Sequence, residues 1–88
     1  MQIRLHLPGT GSLKEKRSVI RSILDRMKQK FNVSAIEAAE QDKWQTAVLA
    51  VACVSAHSAQ AHRQLEQVLA FVESNPSVQV YETDLEIL

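Results

Sequence analysis

Hydrophobic and polar residues alternate from the start of the chain. Ile3, Leu5 and Leu7 share one parity and Gln2, Arg4 and His6 the other, which predicts a half-buried strand. Pro8-Gly9-Thr10-Gly11 interrupts it and holds both glycines of the protein, so backbone freedom is expected at this turn. Ser12 and Glu15 have capping-box spacing and predict a helix start. After them Leu13, Ile20, Ile23, Leu24, Met27 and Phe31 recur at three- and four-residue steps as one apolar stripe. Asn32 can close this helix in a left-handed conformation. Val33 to Glu40 reads as a second strand, Gln41-Asp42-Lys43 as a turn, and Trp44 to about Ser55 as a long third strand. Both parities of that third strand are apolar, which predicts a central strand covered on two faces, the second cover being another subunit. Ser55 or Ser58 can cap a second helix whose apolar face is Ala61, Leu65, Val68, Leu69 and Val72 and which Ser74-Asn75-Pro76 stops. Val78 to Leu88 completes the set as a strand, with Tyr81, Thr83, Leu85 and Ile87 opposed to Glu82, Asp84 and Glu86.

The order βαββαβ predicts an α+β, ferredoxin-like fold: a four-stranded antiparallel sheet with two helices on one face, in a single domain spanning residues 1–88. In that arrangement the first and third strands are central and the last pairs with the first. Arg4 and His6 are then expected opposite some of Glu82, Asp84 and Glu86 on the uncovered face. These five residues are the candidate interface of a homo-oligomer, a dimer in its simplest form.

Composition narrows the classes. At 88 residues there is room for one core only, and 45% apolar with 23% charged residues is ordinary for a globular chain. The longest apolar run, Ala47 to Val54, is far too short for a membrane span, and Met1 to Leu7 lacks a signal-peptide pattern, so a cytoplasmic protein without membrane contact is expected. Cys53, the single cysteine, cannot form an internal disulfide, and its apolar neighbours predict an inert core thiol. The formal charge of zero conceals a division. Residues 1–30 carry eight bases against Glu15 and Asp25, and the rest of the chain carries eight acids against Lys43 and Arg63. An anionic partner for the first helix follows; a protein that coats nucleic acid, or reads a DNA sequence, does not.

At about 100° per residue, Lys14, Arg17, Arg21 and Lys28 fall within roughly 60° along one flank of the apolar stripe. Spaced cations of this kind suit an RNA backbone, and with Lys16 they are the candidate RNA-binding residues. The competing account is a solvated helix flank, in which Arg21 pairs with Asp25 one turn on. Gly9, Gly11 and Ser12 form a weaker candidate anion site at the helix start, because the first amides of a helix lack internal partners. That turn would also have to serve any phosphate- or nucleotide-handling enzyme, but neither G-x-x-x-x-G-K-[ST] nor G-x-G-x-x-G is present. Trp44 is expected to pack over the sheet end, since aromatic base readers come in sets and Phe31 and Phe71 belong to helix faces. His57 and His62 have no third ligand beside them to make a zinc site. No nucleophile, base and oxyanion donor assemble, so no catalytic residue and no cofactor is assigned, and a binding module is favoured over an enzyme.

The runs His6-Leu7-Pro8-Gly9, Ser12-Leu13-Lys14-Glu15-Lys16-Arg17, Phe31-Asn32-Val33-Ser34, Gln41-Asp42 with Trp44-Gln45, and the closing Glu86-Ile87-Leu88 resemble the YlxP-like family of small bacterial proteins, a domain of unknown function. The likeness covers nearly the whole chain, and the block from Ser12 to Arg17 is its most specific part. It departs at Gly11 and in the small residues from Ala56 to Ala61. The resemblance implies the ferredoxin-like fold. Through genes that often neighbour those of translation-initiation and ribosome-maturation factors, it also implies a ribosome-linked role, with RNA or a ribosomal particle as partner. No catalytic residue comes with it.

Overall fold

Ile3, Leu5 and Leu7 are sealed from solvent, and the architecture follows from what seals them. The computed structural model describes every residue, Met1 to Leu88. Its elements are β1 (Gln2–His6), α1 (Leu13–Lys30), β2 (Ser34–Ala39), β3 (Thr46–Ala52), α2 (Ser58–Glu73) and β4 (Gln79–Asp84). The strands form one antiparallel sheet in the order β2-β3-β1-β4. This is the ferredoxin-like α+β fold that the order of elements predicts.

Register decides which side chains meet the helices. Ile3 pairs with Leu49 and Leu5 with Ala47, so these face the same layer as Leu7, Val51 and Ala35. Onto them α1 lays Ile20, Ile23 and Met27, and α2 lays Leu65, Val68 and Val72. Each large apolar side chain buried this way contributes about 1.5–3 kcal/mol over its exposed state. Arg4, Val48 and Ala50 take the opposite parity, on the face without helices. There Arg4 lies between Val48 and Glu82 in neighbouring strands.

Several expected details differ. β3 ends at Ala52, not Ser55, and β4 at Asp84, not Leu88. Each strand stops where its partner does: Ala52 pairs with Ser34, the first residue of β2, and Asp84 with Gln2, the first of β1, which leaves Leu85–Leu88 without a pairing partner and Val54 97% exposed. A bulge at Tyr81 shifts the β1–β4 ladder, so His6 faces Gln79 and not an acid. α1 is capped by Ser12, whose Oγ accepts the Glu15 amide at 3.1 Å, but the Glu15 carboxylate accepts the Gly11 amide at 2.8 Å in place of that of Ser12. The helix closes at Phe31 in an extended conformation, and Asn32 is not left-handed. Phe31 turns away to meet Phe71 edge-on, ring centres 5.9 Å apart, with the Lys30 ammonium over both rings. α2 takes His57 at its cap position without a side-chain bond, while Ser55 Oγ accepts the His57 amide one step upstream. Neither glycine has a positive φ; Glu40 does, at 63°, in the β2–β3 loop.

Candidate nucleic-acid interface

Position around α1 sorts its cations. Ser18, Ser22 and Arg26 line a cleft of about 360 Å³ against Phe71 and Ser74–Ser77, so this flank looks toward the end of α2. α1 packs on β2 and α2 on β4, at opposite edges of the sheet. The other flank of α1 therefore overhangs the β2 edge. It carries Lys14, Arg17, Arg21 and Lys28, all exposed. None takes part in the protein's four ion pairs; the expected Arg21–Asp25 bridge is not formed. The row thus presents four cations, none of them held in an ion pair.

Lys16 does not belong to this row. It is 0% exposed, at the centre of the buried face, with its ammonium 2.9 Å from Glu37 Oε2 and donating to the Glu40 carbonyl. The physical reason is register: Glu37 pairs with Leu49, a core residue, and so points toward the helix layer, where a buried carboxylate requires a counter-charge. A lysine in that position cannot reach a phosphate. Sequence spacing carried the signal, since Lys16, Ile20, Ile23 and Met27 follow at steps of four, three and four along one face.

Beside this buried pair lies the loop from Glu40 to Gln45. Its ends are fixed: the Lys16 ammonium holds the Glu40 carbonyl at one, and at the other the Leu7 amide donates to the Gln45 carbonyl at 2.8 Å and Gln45 Nε2 to the Thr10 carbonyl at 3.3 Å. The Glu40 carboxyl is held below its ordinary value, chiefly by the Thr46 hydroxyl, with Lys43 and Arg4 adding attraction and burial opposing them. Glu40 Oε2 and Thr46 Oγ1 are both shut off from solvent. Lys43, 3.6 Å from Glu40, is exposed. Trp44 is 55% exposed, against the expectation that it packs over the sheet end. Two anchored backbone positions hold the loop on the sheet, and the indole is not needed for that.

The glycine turn is filled from within. The Glu15 carboxylate occupies the Gly11 amide and Ser12 Oγ the Glu15 amide, so Gly9, Gly11 and Ser12 offer an incoming anion a site already next to a carboxylate. On the uncovered sheet face Arg4 reaches Glu82 at 3.5 Å and Gln2 pairs with Asp84, while Glu86 lies past the end of β4. Ile36, 61% exposed, lies beside Ala50 on this face. His62 faces Glu66 at 3.3 Å along α2, and Cys53 is half-buried against the core with Sγ 3.9 Å from the Ala61 carbonyl. No helix is long and apolar enough to cross a membrane.

Comparison with known proteins agrees in extent and in what it withholds. Residues 1–85 match the family described as "Protein of unknown function (DUF503)". Over 69 residues the chain is 46% identical to a protein of Bacillus subtilis (strain 168) described as "Uncharacterized protein YlxP", an alignment covering 78% of this chain and 75% of that one.

Proposed function

The chain belongs to the DUF503 family, whose description assigns no activity, and we propose that it is a non-enzymatic binding module that holds RNA, free or within a ribosomal particle, along the exposed flank of α1. The observation that carries this reading is the row Lys14, Arg17, Arg21 and Lys28, exposed and without carboxylate partners. Unpaired cations on a rigid helix release counterions from a phosphate backbone without first breaking an internal salt bridge. A helix is also the more exact scaffold for such a row, because its spacing is set before the partner arrives. The test compares purified ribosomal RNA binding by the wild type and by the triple variant Arg17→Gln/Arg21→Gln/Lys28→Gln. Loss of tenfold or more in affinity is expected, and equal affinity would remove the site assignment.

A second reading is favoured by the apolar patch of Ile36, Ala50, Ala52 and Leu85, which line one cleft and are partly exposed. In it two copies pair through their uncovered sheets, with Arg4 and His6 of one copy near Glu82, Asp84 and Glu86 of the other. Sedimentation at micromolar concentration distinguishes this: a dimer supports it and a strict monomer opposes it.

A further inference from the structure

Trp44 is the only tryptophan, and it stands half in water. β2 runs antiparallel to the direction of α1, from beside Phe31 to the Lys16–Glu37 pair, so the loop that follows it reaches the N-terminal end of α1. The Lys16 ammonium on the Glu40 carbonyl, and Gln45 on Thr10, hold that loop against the start of the helix. Trp44 lies between these anchors and takes no part in the hydrophobic core. A large indole normally contributes to stability by burial. Here the loop holds it out beside Lys43, at the end of the sheet that meets the first turns of α1. The uncovered sheet offers no alternative platform of the kind in which bases stack on central strands, because β1 and β3 present Gln2, Arg4, His6, Thr46, Val48, Ala50 and Ala52 there.

We infer that Trp44 stacks on an unpaired base, so that the RNA held on α1 is single-stranded at this point. This rests on the RNA reading above and adds the partner's form to it. The four cations extend over about 21 Å of helix at ~1.5 Å per residue, long enough for several phosphates of one strand. An indole near the start of that helix accepts any base face, which makes the contact tolerant of sequence, whereas a duplex keeps its bases stacked on one another and has none to give.

Because no other tryptophan is present, the protein's indole emission reports on Trp44 alone. The experiment titrates the full chain with a twelve-nucleotide single-stranded RNA and with the same sequence closed into a hairpin duplex, for wild type, Trp44→Phe and Trp44→Ala. The expected result is quenching by the single strand and not by the duplex. Trp44→Ala should then bind the single strand roughly tenfold more weakly, Trp44→Phe should lie between, and duplex affinity should be the same in all three. Circular dichroism and a melting curve establish that the variants are folded, which the exposure of Trp44 predicts. Should RNA bind with the affinity loss described for the Arg17/Arg21/Lys28 variant while Trp44 emission and Trp44→Ala affinity stay unchanged, the stacking role is overturned and the basic flank stands. Absence of RNA binding by the wild type overturns both.

Discussion

Lys16 shows how a single residue can change the account of a surface. As a lysine within the block from Ser12 to Arg17 it counts with the binding cations; as the neighbour of Ile20, Ile23 and Met27 on the wheel it counts with the core, and the structure takes the second course. The wheel was legible in the sequence, but its counter-ion was not, because Glu37 turns inward only through its pairing with Leu49 across two strands. Lys16→Met is expected to cost on the order of 3–5 kcal/mol in urea denaturation, since Glu37 is left without a partner. Adding Glu37→Leu should recover most of that loss, which separates the cost of an orphaned charge from that of altered packing. Glu40 provides a pH test. Its folded pKa lies below the ordinary 4.5, so it stabilises the fold above that value, and the contribution disappears as pH falls through the lower folded value. Thr46→Val removes the largest cause, and carbon-13 NMR titration should then find the Glu40 pKa moved upward toward 4.5, with a correspondingly smaller acid-linked loss of stability.

At the scale of elements, the pattern of apolar positions was enough to place all six, and the ends were where it failed. α1 and α2 carry their own period and caps, so their limits are written locally. Strand limits are not: β3 could continue past Ala52 by its own composition, but β2, its partner there, begins at Ser34. The end of α1 was misplaced because Phe31, counted as the last residue of the stripe, instead leaves the helix to join Phe71. The glycines misled in the same way. Their presence signals a turn, but that turn is made without positive φ, and the left-handed residue is Glu40, which composition does not single out. A Cβ at Gly9 would meet nothing within 4 Å. Gly9→Ala is therefore expected to be neutral or to stabilise by about 0.4–1 kcal/mol, through fewer unfolded conformations. Calorimetric melting checks this, and a destabilised Gly9→Ala would mean that the turn needs glycine after all.

In the whole molecule, the division of charge seen along the chain carries over into space only in part, since Glu37, Glu40 and Asp42 lie on β2 and the loop after it. Bases line the outer flank of α1 above the β2 edge, while Glu82 and Asp84 lie on β4 at the opposite edge of the sheet, with Glu66 and Glu73 on the helix that packs near it. A protein with no net charge thus has an exposed basic stripe on the outer flank of α1, to which a polyanion is drawn. Fold class and charge division could be read from the sequence, because both depend on order and count. That Arg21 and Asp25 form no ion pair, and that Trp44 stands in water, could not, since both depend on how side chains and the β2–β3 loop are held. The most direct test of the basic flank is the slope of log Kd against log salt for a single-stranded ribosomal RNA fragment, measured on the wild type and on Arg17→Gln/Arg21→Gln/Lys28→Gln. Removing three cations that each neutralise a phosphate of a single strand should reduce the slope by about 2. The same slope in both proteins would contradict the account.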